Sequence, residues 1–346
     1  MKTTLNTKNF LNVAGIAANY TDKKDTKILI AFEDNETISI SSTDYIESIY
    51  LRINCKVDKF ESFSIDVKNL INILKVIKTE DVTLESNDKH LIIKSGKTKA
   101  KIDLLAESIH IGKNSKTISE FVLTKELITS LKTMEHSIDS NNPREELNGM
   151  LMSCSNNLLT FVGSDTRRLC IERNEIEAKD FEVIIPKSAL RTLTRCNDGV
   201  TVSINESELR LSNDVQKYTC KFLSVKYVDY KRIIPQNWIH NIKLEKNILT
   251  EVLKEASVID NNVFIEITQN KLKVYATDGS IETERVIDSG KTNLKFAVMA
   301  RFILDYLATN EDVHIQLSFN EALLPFSLVK SPSSFEILMP INTNEN

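Results

Sequence analysis

The stretch LNGMLMSCSNNLLTFVGSDTRRLCI, Leu147–Ile171, decides the fold. Its apolar residues come as two short runs separated by Ser155-Asn156-Asn157, a hairpin turn by residue type. Ser164-Asp165-Thr166 then breaks the second run, and Arg167 to Ile171 resumes as a third strand. A helical pattern precedes this meander and another follows it. The same order of elements is written once earlier in the chain and once later.

In the earlier copy, Phe10, Val13, Ile16, Ala17 and Tyr20 have helical spacing. Strands are expected over Ile28 to Phe32, Thr37 to Ser41, Tyr45 to Ile53 and Phe63 to Ile65. A second helix follows, with Val67, Leu70, Ile71, Leu74 and Ile77 on one face and Lys68, Lys75 and Lys78 off it. Strands Asp81 to Leu84, His90 to Lys94 and Lys99 to Leu105 complete the unit. Around the central stretch, Thr124 is placed to cap a helix through Leu127, Ile128, Leu131 and Met134. Pro186 stands where proline favours a helix start, and three strands between Val200 and Leu223 close that copy. The later copy has a helix through Ile248, Val252 and Ala256, and a hairpin turning at Gln269-Asn270. A second helix over Phe302 to Leu307 and strands to Met339 finish it.

The Asp after each second strand recurs at 121 residues from Asp44 to Asp165 and 113 from Asp165 to Asp278. Such a period is too long for a solenoid unit. Each copy is therefore a domain of two helices and about eight antiparallel strands, with boundaries at 1–116, 117–238 and 239–346. The class is α+β.

Composition narrows the function. Hydrophobic content of 41% and charged content of 27% are those of a globular protein. A net charge of -4 means that any nucleic-acid contact must come from a local basic face. With no bilayer-length apolar run and no apolar signal core after Met1, a cytoplasmic location is the expectation. Eight scattered glycines cannot write a Walker A loop or GxGxxG. Cys55, Cys154, Cys170, Cys196 and Cys220 show no CxxC pairing and read as reduced, half-buried thiols. His90, His110, His136, His240 and His314 are scattered and read as surface or turn residues. Asp44, Asp165 and Asp278 recur with the repeat, which points to turn-making rather than acid–base work. No catalytic set, metal spacing or cofactor motif emerges.

At this point the chain resembles a known family, the bacterial β sliding clamp, which is the processivity subunit of DNA polymerase III. Leu147-Asn148-Gly149-Met150-Leu151 with Ser164-Asp165-Thr166-Arg167-Arg168-Leu169 resembles the family's LNG…ATDGHRL segment. Tyr227 to Pro235 (YVDYKRIIP) resembles FPDYxRVLP, and Ile337 to Ile341 (ILMPI) resembles VVMPM. The resemblance covers the whole chain. It implies three repeated clamp domains and a head-to-tail homodimer closed into a six-domain ring, helices inside and sheets outside. Ile102 and Leu104 would there meet Val258 and Ile259 of the second subunit.

The implied partners are double-stranded DNA, the DNA polymerase III catalytic subunit, the clamp loader complex and other proteins carrying a clamp-binding motif. DNA would face Lys68 and Lys75 on one second helix and Lys187, Arg191 and Arg195, spaced by four, on another. Family position adds Lys24, Asn141 and Arg144, although Glu145 and Glu146 put carboxylates beside them. A peptide pocket would be lined by Leu147, Ser164, Thr166, Arg167, Arg168, Leu169, Pro235, Phe302, Phe326, Ile337, Leu338, Met339, Pro340 and Ile341. Three features depart from the family: Thr166-Arg167 for Gly-His, Phe302 where tyrosine is common, and a polar tail at 342–346. Two rival readings are a two-domain trimeric clamp of the archaeal and eukaryotic type, and an enzyme with a cryptic site on a repeat scaffold.

Overall fold

The computed structural model describes residues 2–57, 62–106, 116–268, 270–288 and 292–342. His110, Gln269 and residues 343–346 lie outside these. The first copy runs β1 (Lys2–Asn6), α1 (Thr7–Ala18), β2 (Lys27–Asp34), β3 (Thr37–Thr43), β4 (Glu47–Asn54), β5 (Lys56–Val57), β6 (Ser62–Asp66), α2 (Val67–Val76), β7 (Asp81–Ser86), β8 (His90–Ser95) and β9 (Thr98–Asp103). The second runs β10 (Thr117–Leu123), α3 (Lys125–Met134), β11 (Gly149–Ser155), β12 (Leu158–Ser164), β13 (Arg168–Glu175), β14 (Phe181–Pro186), α4 (Lys187–Leu193), β15 (Val200–Asn205), β16 (Glu208–Ser212) and β17 (Gln216–Lys221). The third runs β18 (His240–Glu245), α5 (Lys246–Ala256), β19 (Asn262–Thr268), β20 (Lys271–Ala276), β21 (Glu282–Val286), β22 (Asn293–Met299), α6 (Ala300–Thr309), β23 (His314–Phe319), β24 (Phe326–Ser331) and β25 (Ser334–Leu338).

The threefold order of elements is the expected one. In every copy the sequence reading lacked the strand before the first helix. β1 and β18 run straight into a helix, and β10 is parted from its own by Thr124 alone, so the period-2 signal merges with the helical one. The caps mark the junctions: Asn6, Asp66 and Thr124 side chains accept from the amides of Asn9, Asn69 and Leu127.

Two sheets have eight strands. One has the order β10-β15-β16-β17-β4-β3-β2-β6 and the other β14-β11-β12-β13-β25-β24-β23-β18. Each joins strands of successive copies, through β17 with β4 and through β13 with β25. The remaining sheets have five strands (β5-β1-β7-β8-β9) and four (β21-β20-β19-β22). By contacts the chain forms two compact units, Met1–Val122 with Gly199–Lys221, and Leu123–Asp198 with Phe222–Asn346. In the first, Phe10, Ile28, Ile40, Ile65, Leu70 and Leu91 are buried in one continuous core. In the second, α3 packs on β12 and β13, α4 on β14, and α5 on α6.

The recurring aspartates make turns, as their repetition suggested. Asp44 Oδ1 accepts from the amides of Ile46 and Glu47, and Asp165 Oδ1 from those of Arg167 and Arg168. Asp278 Oδ1 accepts from Ser280 N. The residue after each aspartate has a positive φ: Tyr45 at 72°, Thr166 at 82° and Gly279 at 72°.

Candidate functional site: the β13–β25 seam

The Asp165 turn delivers Arg168 to the start of β13, where it is fixed on every side. Its Nε donates to Asp165 Oδ2 at 2.9 Å and Nη1 to Asp305 Oδ2 at 2.9 Å, while Nη2 donates to the His136 carbonyl. The guanidinium lies 4.5 Å over the Phe302 ring. Ser164 Oγ closes the turn by donating to Arg168 O at 2.7 Å. Arg168 is 8% exposed, so this charge is held by carboxylates and a ring face rather than by water.

β13 then pairs with β25, bringing Arg168 opposite Leu338 and Leu169 opposite Ile337. Phe326 on β24 lies opposite Leu338, and its ring is 4.7 Å from that of Phe296. The C-terminal run stays tethered: Met339 N donates to Arg167 O at 2.9 Å and Ile341 N to Ala297 O at 2.7 Å. Leu147, Leu169 and Ile337 share an apolar cluster with Leu151, Val162, Ile171, Ile184, Tyr227 and Tyr230. Tyr227 donates its hydroxyl to Val162 O at 3.2 Å, and burial pushes its pKa up. Ile234 packs against this cluster, and Pro235 follows it half-buried. Thr166, Arg167 and Met339 are exposed at the rim, with Pro340 and Ile341 half-buried. The pocket residues are therefore brought to one seam: a buried floor and an accessible edge.

Beside the seam lies a cleft of about 380 Å³, lined by His136, Ile138, Asp139, Asp165, Arg167, Arg168, Lys187, Asn261, Met299, Arg301 and Phe302. Sequence reasoning took only Arg167, Arg168 and Phe302 of these as pocket residues. The others come from five separate chain segments, so no local pattern announces them. Gly163 permits the close approach of the turn after α3 to β12, since a Cβ there would come 2.5 Å from Ser137 Oγ.

The residues expected to face DNA separate into kinds. Lys24, Lys68, Lys75, Asn141 and Arg195 are exposed. Arg144 is exposed but its guanidinium is paired with Glu146 at 2.9 Å, and Arg191 lies 3.8 Å from Glu135. Lys187 departs from the expected outward stripe. It is half-buried in the cleft wall, donates to Ile138 O at 2.6 Å, and desolvation lowers its pKa. Arg195 lies beyond α4, which ends at Leu193, so three charges spaced by four do not share one helix.

His136 is not the surface histidine its spacing suggested. Its side chain is 11% exposed and its Nε2 lies 2.7 Å from Glu336 Oε2. Of the four residues expected at a subunit contact, Ile102 is buried in the first core and Leu104 packs against it, while Val258 and Ile259 are 73% and 66% exposed. Among the described residues no helix is long and apolar enough to cross a membrane.

Three repeats with sheets continued from copy to copy define an α+β fold of the DNA-clamp type. Residues 122–229 match the family described as DNA polymerase III beta subunit, central domain. The beta sliding clamp of Helicobacter pylori strain J99 is 23% identical, over 96% of this chain and 94% of that protein. The beta sliding clamp of Proteus mirabilis is 22% identical over 91% of each. Among solved structures, the Helicobacter pylori beta clamp bound to a DNA ligase peptide superimposes with a TM-score of 0.93 at 22% identity, covering 99% of this chain and all of that one. The DNA polymerase III subunit beta of Pseudomonas aeruginosa gives 0.91 at 16% identity. The family match lies in the middle repeat, and likeness to beta sliding clamps extends over nearly the whole chain.

Proposed function

We propose that this protein is a sliding clamp, encircling duplex DNA without sequence preference and tethering the replicative polymerase and other replication and repair proteins. The observation that carries the reading is an asymmetry of sheets. Two eight-stranded sheets already bridge successive repeats, whereas β9 and β21 are sheet-edge strands among the described residues. An edge strand invites pairing with another chain. β9 presents Lys99 and Lys101, and β21 presents Glu282 and Glu284, all exposed. Pairing β9 of one copy with β21 of the next would complete a third continuous sheet. A heterologous contact of this kind gives a ring when its rotation closes. Two copies of domains 1–116, 117–238 and 239–346 would then make six.

In this reading Lys24, Lys68, Lys75, Asn141, Arg191 and Arg195 approach phosphates, with Arg144 competing between DNA and Glu146. Contacts of that type are weak and salt-dependent, which suits sliding. The seam from Leu147 and Leu169 to Met339 takes short linear peptides of partner proteins, a reading supported by the Helicobacter pylori beta clamp having been solved bound to a DNA ligase peptide. The protein supplies no chemistry of its own, and a cytoplasmic location goes with that role.

The test is topological. Loaded onto circular DNA by a clamp loader, the protein is retained, and it leaves when the circle is cut once. Equal loss from intact and cut circles overturns the reading. Sedimentation separates the dimer from a trimeric ring.

A further inference from the structure

Cys170 on β13 and Glu336 on β25 are directly opposed in the strand register, so their side chains leave the same face of the seam. His136, from the 3-10 turn after α3, covers that face. One ligand atom from each, Sγ, a carboxylate oxygen and a ring nitrogen, lies within 4.8 Å of the other two. Cys170 and Glu336 are fully buried. Glu336 Oε1 and His136 Nδ1 have no hydrogen-bond partner. A buried carboxylate satisfied at only one oxygen is costly, and that site wants a compensating group.

We propose that His136, Cys170 and Glu336 bind one divalent metal ion of the zinc type. The donor set is a thiolate, an imidazole and a carboxylate, which zinc takes at about 2.0–2.3 Å. Tetrahedral geometry at those lengths separates ligand atoms by roughly 3.3–3.7 Å. The His136–Glu336 pair, now 2.7 Å apart, has to open slightly, and the sulfur has to move inward. Charge closes as well: a dication with one thiolate, one carboxylate and a neutral imidazole sums to zero, the favourable state for a buried site. The thiol loses its proton as the metal binds. His136 lines the open cleft, which supplies an entry path and a water for the fourth position.

The consequence is mechanical. The ion would tie the turn after α3 to both strands of the seam, one residue from Leu169 and Ile337 in the peptide floor. It would brace the pocket from behind.

The test uses the full chain, dialysed against a chelator and titrated with Co(II). One equivalent is expected to give an intense near-ultraviolet sulfur-to-cobalt band with visible bands of four-coordinate cobalt, displaced by Zn(II). Cys170→Ser abolishes the sulfur band and His136→Asn shifts the visible bands and weakens binding at least tenfold. Zn(II) raises the Tm of the parent by several degrees but not that of Cys170→Ser. The parent titration is decisive even if a variant fails to fold: no sulfur band overturns the site. So does a band that survives in Cys170→Ser, since one of the other four cysteines then carries it.

Discussion

The Arg168 guanidinium stacks 4.5 Å over the Phe302 ring while bonding Asp165 and Asp305, joining the turn before β13 to α6. Removing one partner of such a group leaves buried charges without compensation. Arg168→Ala is therefore expected to cost about 3–5 kcal/mol. Arg168→Lys recovers little, because an ammonium offers no flat fork for two carboxylates and one ring face. Denaturant unfolding of the three proteins checks this, and a lysine variant as stable as the parent contradicts it.

Thr166 holds φ 82° in the turn, where the third copy has Gly279 at 72°. A β-branched residue there is strained, by roughly 1–3 kcal/mol. Thr166→Gly relieves the strain but frees the unfolded chain, so a net gain of about 1 kcal/mol is expected. The midpoint of urea unfolding should rise at unchanged slope. A fall would mean that the threonine contacts outweigh the backbone.

The same turns show how much was legible. Asp44, Asp165 and Asp278 could be read as turn-makers because an Asx turn is local, needing one side chain and the next two or three amides. The seam was readable only through its likeness to a family, since Leu147, Leu169 and Ile337 look like ordinary core by pattern alone. β21 was missed because its exposed Glu282, Glu284 and Val286 alternate with half-buried residues, leaving no apolar face to detect. The grouping of His136, Cys170 and Glu336 was illegible: the three are far apart in sequence and meet only through strand register. Lys187 was misplaced for a related reason. Helical spacing gives direction around an axis but not which neighbour, here the Ile138 carbonyl, stands in that direction.

Glu172, buried on β13 and accepting from Ser334 Oγ at 2.6 Å, has its pKa raised by burial to about 7 from an ordinary 4.5. The folded state therefore holds this proton more tightly than the unfolded chain does. Below about pH 4.5 both states are protonated and the residue costs nothing. Between there and about pH 7 stability falls, and above it the full cost, on the order of 3 kcal/mol, is present. In chelator-containing buffer, the stability difference between Glu172→Gln and the parent should grow in the variant's favour across that window. A difference constant with pH contradicts the assignment.

The proposed subunit contact makes a charge prediction. Lys99 and Lys101 of β9 would lie against a partner's β21, which carries Glu282 and Glu284. Within one chain Glu282 pairs with Lys273 at 2.9 Å and Glu284 with Lys271 at 3.0 Å, exposed bridges of small worth. Their carboxylates are thus available to a second cation. Reversing Lys99 and Lys101 to Glu puts like charges along the joint, and the dimer constant should weaken by at least tenfold. Reversing Glu282 and Glu284 to Lys should weaken it similarly. Mixing the two variants restores one complementary joint but leaves the other doubly reversed, also complementary in sign. Self-association of a four-site chain carrying both changes should therefore approach that of the parent. Sedimentation equilibrium at low and moderate salt reads both double variants, their mixture and the four-site chain. Losses that simply add in the four-site chain would show that these edges do not meet.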